Sequence, residues 1–304
     1  MGLRHISVLI EEVVSLLKCE PHHIYVDATL GGGGHTLEIL RRTAPDGMVI
    51  GMEWDEEAIS EAKKVLMPFG ERVKIFRENF THLPDLLKTM KLEGVDGILL
   101  DLGLSSLQLE NEKRGFSFRK EGSLDMRMDQ RMDCTAADLV NHLSLEELKD
   151  TLDQYGEERW ARRITNAIVQ ERSRSPIQTT QVLRRIIDQA IPRRFHSRRI
   201  DPATKTFQAL RIRVNHELEN LKEMLEVGWM LLRKGGRMCV ISFHSLEDRI
   251  VKETFQRLGR GGTGISNGEA VMRVITKHPV RPSEEERKKN PRSRSAKLRC
   301  AERM

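Results

Sequence analysis

A run of four glycines, Gly31–Gly34, stands between an apolar segment, Ile24–Leu30, and a helical pattern, Thr36–Arg42. Glycine at such a strand-to-helix turn lets backbone N–H groups approach a ligand closely. Counted as G-x-G-x-x-G from the first glycine, the third glycine position holds Thr36, whose side chain would crowd a pyrophosphate. Glu53 ends the next predicted strand, and its carboxylate can accept both ribose hydroxyls of an adenosine. These residues predict a nucleotide-like ligand, either NAD or S-adenosylmethionine.

A second acidic residue, Asp101, ends the predicted strand Val95–Asp101, at the edge where open α/β sheets bind ligands. The lone pair of an exocyclic amine is delocalised into its base, so a carboxylate that accepts the amine hydrogen would help to release that pair toward a methyl sulfonium. Asp101 can act in this way, or it can cap the following turn or bind the cofactor without touching the acceptor. Methylation of a pyrimidine carbon needs a cysteine nucleophile, but Cys239 falls inside a buried-strand pattern. Nitrogen or oxygen is therefore the expected acceptor.

The elements that must position these residues alternate between strand and helix patterns, which is typical of a parallel sheet with crossover helices. The predicted strands are Ile24–Leu30, Met48–Glu53, Val73–Phe76 and Val95–Asp101, with helices at Thr36–Arg42, Asp55–Met67 and Leu83–Met90. Farther along, a helix that ends at Lys234-Gly-Gly236 is followed by the strand Arg237–Phe243 and by a helix that Ser245 caps. This order predicts a doubly wound α/β sheet, and its late helix, turn and strand resemble the ordering of class I methyltransferases, which implies a Rossmann-like fold of that type.

More than a hundred residues without strand patterns follow Asp101, far more than an ordinary connection. Ser144-Leu-Glu-Glu147 is a capping box, and apolar stripes follow it at helical spacing. We therefore predict a helical insert domain at 114–213 that interrupts a cofactor-binding domain formed by 1–113 and 214–304.

The net charge of +6 is concentrated in two segments. Residues 193–213 hold seven bases against one acid, and residues 281–304 hold nine bases against four acids. These segments predict either a polyanionic partner or a solvated helix face and a disordered tail. In Arg114-Gly-Phe-Ser-Phe-Arg119, two phenylalanines stand between two arginines. This arrangement suits either stacking on an unpaired base with contacts to its phosphates, or anchoring of a loop in the core.

Composition narrows the class of protein further. The four cysteines are widely separated, which fits neither a disulfide framework nor a cysteine-rich zinc site, so a cytoplasmic location is expected. The sequence has no uncharged run of about 18 residues, so no membrane span is expected. His35, His216, His244 and His278 lack metal-ligand spacing, and no metal is predicted.

Eight ordered segments of the chain together resemble the MraW/RsmH family. They are His5-Ile-Ser-Val-Leu9, Asp27-Ala-Thr-Leu-Gly-Gly-Gly-Gly-His35, Asp96-Gly-Ile-Leu-Leu-Asp-Leu-Gly-Leu-Ser-Ser-Leu-Gln108, Arg114-Gly-Phe-Ser-Phe118, Leu124-Asp-Met-Arg-Met-Asp129, Phe207-Gln-Ala-Leu-Arg-Ile-Arg-Val-Asn215, Ile241-Ser-Phe-His-Ser-Leu-Glu-Asp-Arg249 and Ser293-Arg-Ser-Ala-Lys-Leu-Arg299. The resemblance implies an S-adenosylmethionine-dependent methyltransferase acting at N4 of a cytidine in the decoding region of 16S ribosomal RNA, with the assembled small ribosomal subunit as substrate.

The resemblance also implies which residues contact the cofactor: Gly33, Gly34, His35, Glu53, Phe80, Asp101 and Gln108. Phe80 would lie near the adenine. The family often has aspartate where this chain has Glu53, which puts the geometry of the ribose contact in question. The helical insert would help to recognise RNA.

Two other functions stay open on the residues alone. One is an RNA-binding or assembly factor that keeps the fold without turnover. The other is a nicotinamide-dependent oxidoreductase, which Thr36 and the Lys234-Gly-Gly236 junction disfavour.

Overall fold

The computed structural model describes residues 7–197, 201–261 and 269–304, in two compact units. Unit 1 comprises Met1–Gly103 and Leu218–Met304, and unit 2 comprises Leu104–Glu217. No helix in the described part of the chain is both long and apolar enough to cross a membrane.

Unit 1 is built on a seven-stranded sheet in the order β3-β2-β1-β4-β5-β7-β6. The strands are β1 (Ile24–Asp27), β2 (Met48–Glu53), β3 (Val73–Arg77), β4 (Val95–Asp101), β5 (Leu232–Ser242), β6 (Met272–Val274) and β7 (Lys297–Arg303). The first five strands pair in parallel, and β7 runs antiparallel to both β5 and β6. This is the Rossmann-like class I methyltransferase sheet, as predicted.

Within the described residues, six helices pack on the two faces of this sheet: α1 (Ile10–Leu17), α2 (Gly34–Arg42), α3 (Glu56–Leu66), α4 (Leu83–Thr89), α11 (Glu217–Leu231) and α12 (Ser245–Arg260). The short helix α13 (Glu284–Lys289) buries none of its residues. Successive strand residues point to opposite faces. In β4, Ile98 and Leu100 therefore join a core cluster with residues of α4, α11 and α12, whereas Leu99 joins a second cluster with residues of α1, α2 and α3. The sheet is buried on both sides, and ligands can reach it at its edges.

Unit 2 is helical, with α5 (Ser106–Glu110), α6 (Ala136–His142), α7 (Leu145–Gly156), α8 (Ala161–Arg172), α9 (Thr180–Ala190) and α10 (Thr204–Asn215). The capping box that the sequence predicts at Ser144 is confirmed: the Ser144 hydroxyl accepts the N–H of Glu147, and the Glu147 carboxylate accepts the N–H of Ser144. Ile164 and Ile168 of α8 and Leu183 of α9 are fully buried, which stabilises the packing of these helices.

Three predicted element boundaries were wrong. Lys234-Gly-Gly236 does not separate helix from strand, because α11 ends at Leu231 and β5 already begins at Leu232. The partner of Val95 is Leu232 whereas that of Gly97 is Arg237, so the Lys-Gly-Gly segment lies in a register irregularity. The helix after β5 is capped by His244 and not by Ser245, and β1 ends at Asp27 and not at Leu30.

The last part of the basic segment 281–304, the strand β7, is part of the sheet, where the sequence suggested a nucleic-acid contact or a disordered tail. This strand pairs with β5 from Arg237 opposite Glu302 to Ser242 opposite Lys297. Lys297 and Arg299 both contact the Asp248 carboxylate of α12, at 2.9 and 2.7 Å. These two cations therefore stabilise unit 1, and their charge is compensated within it.

Candidate functional site

The carboxyl ends of the parallel strands of unit 1 gather the polar residues of the candidate site. Asp27, Glu53 and Asp101 are the last residues of β1, β2 and β4. Phe80 follows β3, and His244 follows β5. The strand order reverses direction between β1 and β4, which is the position where open α/β sheets bind ligands.

The glycine turn, residues 31–34, separates into two halves with different constraints. A Cβ on Gly33 would lie 3.1 Å from Leu66, and one on Gly34 would lie 2.0 Å from the Ser7 hydroxyl. The first two glycines border open space, with at most a distant carbonyl within 4 Å. Packing therefore explains glycine at 33 and 34, the two glycines predicted to contact cofactor, whereas the space for a ligand adjoins the first half of the turn.

Glu53 has a carboxylate held in place by the backbone. Its Oε2 accepts the N–H of Gly31, and its Oε1 accepts the N–H groups of Trp54 and Asp55, all at 2.9 Å. Burial raises the pKa of Glu53 to about 7, although these hydrogen bonds favour the ionised form. A carboxylate has about four acceptor positions. The arrangement leaves a position on Oε2 for a ligand hydroxyl.

Asp101 combines burial with an unused acceptor. Its side chain is 20% exposed, and its Oδ2 lies 3.6 Å from Nδ1 of His35. Its Oδ1 is buried and has no hydrogen-bond partner within the described residues. Burial raises the pKa of Asp101 to about 6; His35 opposes the rise, whereas the carboxylates of Asp27 and Glu247 add to it. A buried oxygen without a donor is costly, and a ligand donor would satisfy it.

His35 lies in the first turn of α2, beside Asp101. Its side chain is almost fully buried, and its Nε2 is 2.8 Å from the carbonyl of Val8. Because a carbonyl only accepts, Nε2 carries the proton, and Nδ1 is the atom that faces Asp101. Both ring nitrogens thus face protein groups, and the 3.6 Å between Nδ1 and the Asp101 carboxylate is longer than a hydrogen bond.

Residues that sequence reasoning did not select also lie at this edge. Asp27 is fully buried and accepts the Thr36 hydroxyl at 2.7 Å and the N–H of Thr29 at 3.3 Å, while burial raises its pKa. Thr36, considered only as an obstacle to a pyrophosphate, thus satisfies a buried acid. Glu247 is also buried, and its Oε2 accepts the N–H groups of Phe243 and His244. Both acids lie inside the segments that carry the family resemblance, and this position is the sequence feature that could have selected them.

Phe80 and Gln108 are placed in different units. Phe80 begins a short 3-10 helix in unit 1 and packs, half-buried, against the core cluster beneath β4. Gln108 belongs to α5 of unit 2, where its side-chain oxygen accepts the N–H of Ser105 and its own N–H donates to the Ser105 hydroxyl. The cofactor contacts of both residues stay predictions.

The Arg114–Arg119 segment of unit 2 anchors a loop at its first residues. Arg114 is 1% exposed and donates to the carbonyls of Arg127 and Met128 at 3.0 and 2.9 Å. Phe116 is buried, and Phe118 packs edge-on against Phe207 with ring centroids 5.0 Å apart. Base stacking by Arg114 and Phe116 is therefore wrong, because neither side chain reaches the surface.

Some basic residues of the segment 193–213 contact the protein itself, whereas others are exposed to solvent. Arg211 makes a two-pronged pair with Glu217 at 2.8 Å, and Lys205 donates to the carbonyl of Glu157. Arg193 and Arg194 are exposed, whereas residues 198–200, with two further bases, lie outside the described residues. Only part of the predicted positive charge is therefore open to a partner.

Comparison with known proteins places the chain in a family. Residues 2–304 match the model of the MraW methylase family. A "Ribosomal RNA small subunit methyltransferase H" from Desulfotalea psychrophila is 50% identical over 300 residues, which cover 99% of this chain and 98% of that protein. A protein of the same name from Halothermothrix orenii is 47% identical over 309 residues, covering 99% of both chains. A solved structure, a putative rRNA methylase from Clostridium thermocellum, aligns with a TM-score of 0.49 at 12% identity over 99% of this chain and 100% of that one. Because the family model and these relatives span nearly the whole sequence, the chain belongs to the MraW methylase family.

Proposed function

We propose that this protein transfers a methyl group from S-adenosylmethionine to N4 of a cytidine in the decoding region of 16S ribosomal RNA. The observation that carries the proposal is the buried, unpartnered Oδ1 of Asp101 at the carboxyl edge of a class I methyltransferase sheet. The relatives named as small-subunit rRNA methyltransferases, at 47–50% identity over nearly their full lengths, support the substrate class.

The residues at the edge of the sheet fit the cofactor. Glu53 offers an oriented acceptor for a ribose hydroxyl, and the first half of the glycine turn borders open space. Phe80 offers a half-buried ring near the end of β3 for the adenine. S-adenosylmethionine supplies an electrophilic methyl group on a sulfonium, which a nitrogen nucleophile can displace. Gly33, Gly34, His35, Asp101 and Gln108 complete the proposed set of cofactor contacts.

Asp101 performs the chemical step assigned to the protein. In its ionised form it accepts a hydrogen bond from the N4 amine, which increases the availability of the nitrogen lone pair. His35, fixed by the carbonyl of Val8, lies beside Oδ2 of the carboxylate, which leaves Oδ1 for the amine. Most of the rate enhancement would come from positioning and not from covalent chemistry.

RNA recognition is assigned to the helical part of the chain, predicted from sequence as 114–213 and found in unit 2. Its exposed basic residues, including Arg193 and Arg194, offer contacts to phosphate. The assembled small subunit is the proposed substrate and the cytoplasm the proposed location, with no metal taking part.

The experiment is to incubate undermethylated small ribosomal subunits with the protein and methyl-labelled S-adenosylmethionine, and then to digest the RNA to nucleosides. We expect label in N4-methylcytidine. Label at carbon-5 or at a ribose oxygen would overturn the N4 assignment, and cofactor binding without transfer to any ribosomal particle would favour an assembly factor. The same assay on Asp101→Asn tests the role of this carboxylate, and the variant should transfer less label. Asp85→Asn, at an exposed position in the first turn of α4, is its matched control.

A further inference from the structure

Unit 2 carries a pair of aromatic rings at its surface that the proposed function has not used. Trp160 immediately precedes α8, and Phe195 ends the 3-10 helix Arg193–Phe195. Their ring centroids are 5.0 Å apart with planes inclined by 47°, and Phe195 is 42% exposed. Among the exposed large hydrophobic side chains of the described residues, Phe195 is the aromatic one.

The local backbone holds both rings in place. The Glu158 carboxylate accepts the N–H of Trp160 at 2.9 Å, and Glu158 itself is buried. The N–H of Phe195 donates to the carbonyl of Pro192 at 2.8 Å. The pair is therefore presented by a defined turn and a defined helix start.

Three guanidinium groups surround these rings. Arg159 lies 5.5 Å from the centroid of each ring, Arg163 lies 5.7 Å from Trp160, and Arg194 lies 4.9 Å from Phe195. All three arginines are exposed, and no carboxylate of the described residues lies within 4.0 Å of their nitrogens. We call these five residues the arginine–aromatic cluster. Its positive charge is uncompensated, in contrast to that of Arg211 and Lys297.

We infer that the arginine–aromatic cluster binds an unpaired nucleotide of the RNA substrate, with the base stacked on Phe195 and the neighbouring phosphates held by the arginines. Aromatic rings together with guanidinium groups that have no carboxylate partner among the residues described match a base and its phosphates, and stacking of this kind tolerates any base. The identity of the RNA as ribosomal rests on the proposed function. The stacking surface is distinct from Arg114 and Phe116, whose buried side chains cannot reach a base.

The test uses the full-length protein and a protein-free transcript of the decoding region, with affinity measured by fluorescence anisotropy at fixed salt. Phe195→Ala should weaken binding roughly 5- to 150-fold, which corresponds to one stacked base. Phe195→Tyr should restore the affinity, whereas Phe195→Leu should not, because leucine is apolar but has no π-face. Arg194→Ala should weaken binding and lower the slope of log K against log salt by about 1. Arg174→Ala is the control, since Arg174 is exposed in the same unit but pairs with Glu171.

Several results would overturn the inference. Unchanged RNA affinity in both Phe195→Ala and Phe195→Leu would do so, as would a leucine variant that binds like wild type. Normal binding of naked RNA with weakened binding of the intact subunit would identify a ribosomal protein as the partner instead. Folding of each variant is checked by its S-adenosylmethionine affinity and thermal unfolding. Phe195-dependent RNA binding together with no N4-methylcytidine on undermethylated small subunits would refute the proposed function and leave the inference standing. Methylation of the subunits with RNA binding that does not depend on Phe195 would do the reverse.

Discussion

Asp101→Asn should make the folded protein more stable while it removes most of the activity. Burial raises the pKa of Asp101 from its ordinary 3.8 to about 6. A tenfold change in proton affinity corresponds to about 1.4 kcal/mol, so the ionised carboxylate costs the folded state about 3 kcal/mol. Asparagine keeps the shape of the side chain and carries no charge. The cofactor-free variant should therefore gain up to about 3 kcal/mol in free energy of unfolding at pH 8.

The pH dependence gives this prediction its sign. Below about pH 4 the carboxyl group is protonated in both folded and unfolded chains, and wild type and variant should be equally stable. Between about pH 4 and pH 6 the unfolded chain releases the proton first, so the wild type loses stability relative to the variant. Above about pH 6 the difference should stay constant.

The measurement is urea-induced unfolding of cofactor-free protein at pH 4, 6 and 8, with Asp85→Asn as control. Asp85 is exposed, so its substitution should change stability by no more than about 0.5 kcal/mol. In the methylation assay, Asp101→Asn should lower kcat by about 10²- to 10⁴-fold, the usual contribution of a positioned acceptor. A variant less stable than wild type at pH 8, or a stability difference independent of pH, would refute the reasoning. Full activity with weakened cofactor binding would reassign Asp101 to the cofactor alone.

Three further predictions follow from individual contacts. Glu53→Gln should raise the Kd for S-adenosylmethionine about 10- to 100-fold by calorimetry. The amide has only one oxygen, so its NH2 group would face a backbone N–H and the side chain could no longer hold an acceptor toward the ribose; an unchanged Kd would contradict the proposed ribose contact. Gly34→Ala should cost about 1–3 kcal/mol in chemical denaturation, and Ser7→Ala should recover most of that loss by removing the hydroxyl that the new Cβ meets; no recovery would contradict the clash. Asp248→Asn should destabilise unit 1 by about 1–3 kcal/mol in urea unfolding at neutral pH, since two cations of β7 lose their partner. The cations hold the pKa of Asp248 below its usual 3.8. The stability difference between wild type and variant should therefore shrink only as pH falls below about 4, and a difference that stays constant to lower pH would contradict the ion pairs.

Local patterns were sufficient for the first half of the sheet. Each strand there is a short apolar run between turn signals, and the observed bounds of Met48–Glu53 and Val95–Asp101 match the predicted ones. The Ser144 capping box was equally local, because both partners lie within four residues. Such features are encoded by neighbouring residues and can be predicted from them.

Long-range contacts determined what the sequence could not predict. The strand β7 has a basic sequence that suggests a tail, and its place in the sheet depends on pairing with β5, more than fifty residues earlier. Arg114 is buried because two carbonyls more than ten residues away accept its guanidinium. A Cβ would meet a close neighbour at Gly33 and Gly34 but not at the first two glycines of the turn. This difference depends on where Leu66 and Ser7 pack, which the local sequence does not reveal.

The acids at the carboxyl edge of the sheet can be ranked by what remains for a substrate to bind. Asp27 has donors on both oxygens, and Glu247 has backbone donors on Oε2 and His244 beside Oε1. Asp101 alone among these three has an oxygen without any partner in the described structure. Burial raises the pKa of Asp101, and the carboxylates of Asp27 and Glu247 add to the rise because their charges disfavour a further negative charge at the same edge. A group that stays ionisable at a cost to stability, with one acceptor left open, is what the proposed hydrogen-accepting role requires.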